Sequence, residues 1–240
     1  MAAEPPVLVD DALGVRVITL NRPHVRNALD SEATRLLRHA VSELDERPDL
    51  KAGVLTGAGG TFCSGMDLTA FAAGEIDVTA GEGPSDLLPP TATPLLAAVE
   101  GWAAGGGLEL ALACDAVVAA TDARLGLPEV RHGLFAAGGG LRSLAATMPR
   151  GAAMLLALTG EPMSAVDARA RGLVAALTPP GQAVSEARRL AGLIARHPAR
   201  GVEATKELLQ LAYAGPQLPF TERQHALLGE VFTEYLTTSI

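Results

Sequence analysis

Two glutamates and two glycine-rich turns are the residues of this 240-residue chain whose types and spacing can do chemistry. Glu109 stands in GGGLELAL, directly after Gly105, Gly106 and Gly107, and Glu129 stands in GLPEVR. Both lie in apolar surroundings, where burial disfavours the charged form, raises a carboxyl pKa and lets the group exchange protons near neutral pH. The glycine run complements this. Lacking a Cβ, it takes positive φ and lets backbone N–H groups approach a bound group, and the first N–H groups of the following helix stay unpaired and face the same place. A developing oxyanion needs such preorganised donors, and proton transfer needs a carboxylate beside them. Ser64-Gly65-Met66, in GAGGTFCSGMDL, is a second backbone-rich turn of the same kind. Each feature alone has a plainer reading: a glycine-rich strand-to-helix turn can serve packing only, and a helix glutamate can simply face solvent.

The elements that must position these groups follow from periodicity. VLVD from Val7 and VRVITLN from Val15 are β-branched and apolar around an Ala-Leu-Gly turn, which predicts a hairpin. Asp30 and Ser31 offer a helix start, and Ala33, Leu36, Leu37, Ala40, Val41 and Leu44 recur at helical spacing until Arg47-Pro48. KAGVLTGAG from Lys51 predicts a buried strand running into the Ser64 loop. The stretch from Ala72 to Pro90 is rich in Gly, Pro and acidic residues and predicts a mobile surface segment. Beyond it, a strand over Pro94 to Gly101, a helix over Gly106 to Cys114 and a strand over Ala116 to Ala120 repeat the order strand, turn, helix. A short strand is expected near Leu125 to Leu127, a turn at Pro128-Glu129, and a helix after a second glycine triple, Gly138 to Gly140. After Arg150 the pattern is almost wholly helical, with helices expected near Gly151 to Leu158, Ser164 to Arg171, Ala183 to Ile194, Pro198 to Tyr213 and Phe220 to Tyr235. Successive units of this kind stack in one α/β core, here expected over residues 1–180, with a helical C-terminal region over 181–240.

Composition narrows the function classes. A formal charge of −8, from 19 Lys and Arg against 27 Asp and Glu, supplies no basic field for a nucleic-acid backbone. One Trp, two Tyr and five Phe are too few for a base-stacking platform. No apolar stretch is long enough to span a bilayer, and MAAEPPVLVDD lacks a basic region followed by an apolar run. Two cysteines, Cys63 and Cys114, make no disulfide framework, so a reducing cytosol is the expected compartment. Standard motifs are absent as well. GAGG at Gly57 has Phe62 where a dinucleotide turn needs its third glycine, no Gly-Lys-Ser/Thr follows, and Phe62 also stands where a nucleophile elbow needs a glycine before Ser64. His24, His39, His132, His197 and His225 show no metal-ligand spacing.

ITLNRPHVRNAL, GAGGTFCSGMDL, AAVEGWAAGGGLELALACD and LGLPEVRHGLFAAGGGLRSL together resemble the successive motifs of the crotonase superfamily, in order and spacing, over about Val7 to Thr237. The resemblance implies a spiral of ββα units with a helical C-terminal region, assembled as a homotrimer or a dimer of trimers. It implies an acyl-CoA thioester substrate, coenzyme A being part of that substrate, and no metal or redox cofactor. By position, Glu109 and Glu129 match the two acids of the enoyl-CoA hydratases, and the N–H groups of Met66 and Gly106 match the oxyanion hole. The CoA moiety would run along Val25, Arg26, Ala28, Ser64, Asp67 and Leu68, with Gly65, Gly105, Pro128, Leu134 and Ala137 completing the substrate site. The expected reaction is addition of water across C2=C3 of a trans-2-enoyl-CoA.

Two departures accompany the resemblance. Ala136-Ala137 stands where the family often has Pro-Gly, with the Ala137 N–H expected to orient a glutamate or the water, and relatives continue past FTEYLTTSI into one more helix. FCSGMDLTAFAAGE resembles the same stretch of carnitinyl-CoA dehydratases, a second reading on this scaffold. Enoyl-CoA isomerases, which usually keep one acid, fit two acids less well. A non-catalytic acyl-CoA-binding protein is the alternative from another class.

Overall fold

The computed structural model describes residues 4–67, 69–70, 73 and 87–214. The expected last helix from Phe220, and most of the Ala72 to Pro90 stretch, lie outside the described residues.

A six-stranded sheet in the order β1-β2-β3-β4-β6-β9 forms the body, beside a three-stranded sheet in the order β5-β7-β8. The hairpin of β1 (Val7–Ala12) and β2 (Val15–Leu20) is antiparallel, Ala12 facing Val15 across a two-residue turn. The turn is therefore Leu13-Gly14, both at positive φ (54° and 77°), rather than the expected Ala-Leu-Gly, and Leu13 is fully in solvent. β3 (Ala52–Gly57), β4 (Leu95–Val99), β6 (Ala116–Ala120) and β9 (Ala176–Thr178) then pair in parallel.

Two alternating sets of strand side chains fill two apolar layers, as a sheet covered on both faces demands. Val15, Val17, Ala52, Val54, Leu96, Ala98 and Val118 pack against Ala183, Ala187 and Ala191. Those alanines lie on α6 (Ala183–Ile194), so a helix of the expected C-terminal region packs across β2, β3, β4, β6 and β9 on one face of the body. The opposite face holds Ile18, Leu20, Leu55, Leu95, Ala97, Val99, Val117 and Ala119 with the buried stripe of α1 (Ser31–Glu46). α1 begins where the pattern places it, Asp30 accepting the Ala33 N–H at 2.8 Å.

From β4 onward the chain places one strand of a unit in the large sheet and the next in the small one. β4 matches the strand expected over Pro94 to Gly101; after it the chain bends at Gly101 (φ +56°) into a further strand of the other sheet, β5 (Trp102–Ala104), which was not expected. α2 (Gly106–Ala113) follows β5. After β6 come β7 (Arg124–Gly126), a 3-10 turn over Glu129–His132, and α3 (Gly140–Thr147). This is the ββα order that the resemblance implies.

α4 (Arg150–Thr159), α5 (Ala165–Ala170) and α7 (Ala199–Ala214) match the helical expectation to within a residue or two. The short strands β8 (Met163–Ser164) and β9 escape it, because two or three residues carry too little periodicity to compete with helical neighbours. The salt bridge of the nearly buried Lys206 to Asp115, 2.7 Å, and a hydrogen bond to Thr93 O, 3.0 Å, fasten α7 to the starts of β4 and β6.

Candidate active site

Strand pairing across the two sheets brings the glycine turns together. The Cys63 N–H donates to Trp102 O and the Ala104 N–H to Cys63 O, both at 3.0 Å, so the Ser64 turn lies alongside β5. On its other side the Leu29 N–H donates to Gly65 O at 2.8 Å and the Asp67 N–H to Leu29 O at 2.9 Å. The turns then touch backbone to backbone. A Cβ on Gly65 (φ +98°) would sit 2.9 Å from Ala104 O and 3.1 Å from Gly106 N, and one on Gly106 would sit 3.7 Å from Met66 N. Only glycine at 65 permits both that φ and that approach. Among the described residues, the N–H groups of Met66 and Gly106 have no acceptor. Gly106 opens α2, where helix geometry leaves N–H groups unpaired.

Both glutamates converge on this point. Glu109 is 2% exposed, in the first turn of α2, and its Oε1 accepts the Gly140 N–H at 3.0 Å from the start of α3. A Cβ on Gly140 would lie 2.8 Å from Glu109 Cγ, so that glycine is what admits the carboxylate. Glu129 opens the 3-10 turn after Pro128, and its Oε1 would be 3.3 Å from a Cβ on Gly105. Its other oxygen, Oε2, is buried and has no hydrogen-bond partner within the described residues. A buried carboxyl oxygen without a partner is costly, and sites that keep one reserve it for a ligand or proton.

Burial is the main cause that lifts the pKa of both carboxyls above the ordinary value of 4.5. For Glu109 the negative charge of Glu129 adds to the rise, while the Gly140 and Gly138 amides oppose it. For Glu129 its own backbone amide and His132 oppose the rise. A raised folded pKa means that the native state holds more protons than the unfolded state just above pH 4.5, so stability falls as pH rises through that window. Glu109→Gln, which keeps an acceptor for Gly140, removes the penalty. Its thermal midpoint should match wild type at pH 4 and exceed it at pH 8, by about 2–4 °C per kcal/mol of penalty. Melting curves at the two pH values check this; a gap that shrinks with rising pH would contradict it.

The expected CoA-side residues form a neighbouring ledge. The Ser64 N–H donates to Arg26 O at 3.0 Å and its hydroxyl to Val25 O at 3.4 Å. Arg26 takes a left-handed backbone (φ +55°) with its side chain in solvent, so its backbone rather than its charge shapes the ledge. Ala28 is buried, and Asp67 pairs with Arg22 at 3.2 Å. Leu68 lies outside the described residues. Leu134 is 46% exposed, its N–H returning to Glu129 O at 3.0 Å, and Ala137 is exposed. The amide that holds Glu109 belongs to Gly140, three residues beyond the expected Ala137 donor, because the loop bends the start of α3 onto the carboxylate.

Three residues of this site escape a reading of the sequence. Gly140 was visible as part of a second glycine triple, whose likeness to the first was the available signal. Asn27, 1% exposed at φ +56°, accepts the Arg22 N–H at 2.9 Å and donates to Ala58 O and Thr61 O at 2.9 and 2.8 Å. Arg22 reaches Ala28 O at 2.6 Å and pairs with Asp30 at 3.0 Å. Together they fasten the NRPHVRNALD segment to the Ser64 loop, and isolated polar letters do not announce such long-range closure.

Cys63 and Cys114 are buried free thiols, burial pushing Cys63 up to about 12. Among the described residues no cluster of His, Cys, Asp and Glu is placed to hold a metal ion, and no helix is long and apolar enough to cross a membrane.

Comparison with known proteins agrees with this arrangement. The enoyl-CoA hydratase/isomerase family profile matches residues 10–237. The probable enoyl-CoA hydratase echA8 of Mycobacterium bovis is 37% identical over 214 residues, covering 86% of this chain and 82% of that protein. The solved structure of enoyl-CoA hydratase EchA1 from Mycobacterium marinum superposes with a TM-score of 0.90 at 44% identity, over 96% of this chain and 91% of that one. A carnitinyl-CoA dehydratase structure from Mycobacterium avium 104 gives 0.80 at 38% identity, over 94% and 93%. The fold, the order of the motifs and these likenesses agree, and the chain belongs to the enoyl-CoA hydratase/isomerase family of enzymes, within the crotonase superfamily.

Proposed function

We propose that the enzyme adds water across C2=C3 of a trans-2-enoyl-CoA to give a 3-hydroxyacyl-CoA. The observation that carries this is the meeting of the buried Glu109 carboxyl, the half-buried Glu129 carboxyl with its buried Oε2 unpartnered, and two unpaired N–H groups, all among the described residues, at the Gly65–Gly105–Gly106 contact.

The Met66 and Gly106 N–H groups bind the thioester oxygen and stabilise the enolate-like charge that develops as C3 is attacked, each donor contributing on the order of 3 kcal/mol. Glu109, oriented by the Gly140 amide, takes a proton from the water whose oxygen adds to C3. Glu129 delivers a proton to C2 through Oε2, which has no hydrogen-bond partner among the described residues. Two acids of raised and interacting pKa titrate as a pair. The chemistry calls for no metal or redox cofactor, since proton transfer and amide donors accomplish every step. The Val25–Ser64 ledge carries the CoA moiety.

The exposed Met154, Leu155 and Leu158 of α4 support an assembly in solution, a homotrimer or a dimer of trimers. The two buried free thiols accord with a reducing, cytosolic setting.

The test is loss of the enoyl-thioester ultraviolet band on mixing with crotonyl-CoA and longer trans-2-enoyl-CoAs. Calorimetric binding across the panel without turnover would leave an acyl-CoA-binding protein and sink the hydratase reading. The likeness to the carnitinyl-CoA dehydratase favours a second reading, removal of water from a 3-hydroxyacyl-CoA bearing a cationic tail, by the same groups in reverse. A carnitinyl substrate in the panel separates the two.

A further inference from the structure

Glu129 stands on a single 3-10 turn, Glu129–His132, that buries none of its residues. The turn's own hydrogen bonds, Arg131 N–H to Pro128 O at 3.0 Å and Gly133 N–H to Val130 O at 3.2 Å, define its shape. They do not define where it sits. No residue of the turn is buried, so contacts with neighbouring segments help set the reach of Glu129 toward Gly105.

That contact comes from the end of α4. Gly160, left-handed at φ +67°, closes the helix, and the Arg131 side chain lies flat against it. A Cβ on Gly160 would be 3.0 Å from Arg131 Nε, 3.1 Å from Arg131 Cγ and 3.3 Å from Val130 Cγ2. The next residue, Glu161, pairs with Arg131 at 2.5 Å. The gripping segment is itself anchored, since β8 pairs with β7 through Leu125–Met163 and Arg124–Ser164. The strand that leads into Glu129 is therefore paired with the strand that follows the clasping residues Gly160 and Glu161.

We propose that Arg131, seated on Gly160 and paired with Glu161, is a positioning residue that sets the Glu129 carboxyl against the oxyanion turn. The inference rests on the reading of Glu129 as the proton donor to C2. Arg131 touches no reacting atom and acts through the turn alone. Its exposed ion pair contributes little to stability, so removal should move the melting midpoint by no more than about 2–4 °C.

Steady-state hydration of crotonyl-CoA tests this. Arg131→Ala should lower kcat about tenfold, in keeping with the sensitivity of proton transfer to sub-ångström placement, with KM within about twofold. Arg131→Lys, which keeps the stem and the charge, should recover most of the loss, and Glu161→Gln should cost a few-fold. The deciding measurement repeats Arg131→Ala in a Glu129→Gln background, where the loss should vanish. An equal loss in both backgrounds, an unchanged kcat, or a rise in KM alone would overturn the proposal. If Arg131→Ala does not fold, Glu161→Gln with and without Glu129→Gln makes the same decision. Failure of the underlying reading shows separately, without touching Arg131, as absent wild-type hydration or full turnover by Glu129→Gln.

Discussion

Glu109→Gln and Glu129→Gln each lower kcat for enoyl-CoA hydration by about 10²–10⁴-fold, the usual range for removing one positioned acid or base. Glutamine keeps the volume and, at 109, an acceptor for the Gly140 N–H, so the fold and the CoA ledge stay intact. Affinity for acyl-CoA should remain within a few-fold, since proton transfer is made in the transition state and not in the ground-state complex. The double variant should lose little more than the worse single one, because the two carboxyls act in one coupled addition. The pH profile supplies an independent check. Burial raises both groups above 4.5, so the acid limb of kcat/KM falls at an apparent pKa above that value, and an alkaline limb appears as the second carboxyl ionises. Near-wild-type turnover in either single variant would remove that residue from the mechanism.

The second large effect is expected at the oxyanion turn. Gly106→Pro deletes one of the two donors at the first position of α2, where proline is compatible with helix geometry. It should cost about 10²–10³-fold in kcat/KM through the lost donor alone, and more if the ring obstructs the thioester oxygen. Circular dichroism and the melting midpoint should stay close to wild type, which separates a lost donor from a lost fold. An unaffected kcat/KM would mean that the Gly106 N–H does not meet the thioester oxygen.

Much of the fold was legible because the signals were local. The Asp30 cap and the apolar stripe from Ala33 to Leu44 mark α1 to the residue, since capping and the 3.6-residue period act within a few turns of the chain. The glutamates were legible by type and surroundings, and the glycine triple by its unusual freedom. β5 was not legible as a strand of its own, because three residues carry little periodicity and the positive φ at Gly101 that moves the chain to the other sheet leaves no mark in the pattern. Nor were β8 and β9, whose pairing partners lie dozens of residues away.

By itself the sequence determined the supply of groups: two carboxyls in apolar surroundings, two turns able to expose N–H groups, and a run of strand and helix units to carry them. Only the tertiary structure decided that the Ser64 turn lies against β5, so that Met66 and Gly106 become neighbours. It also decided that the start of α3 reaches Glu109 while the end of α4 braces the turn that carries Glu129. The physical reason is that donors, acids and their supports come from segments far apart in the chain. Their distances depend on how two sheets and the helices between them pack, a global balance of burial that no local window of residues contains.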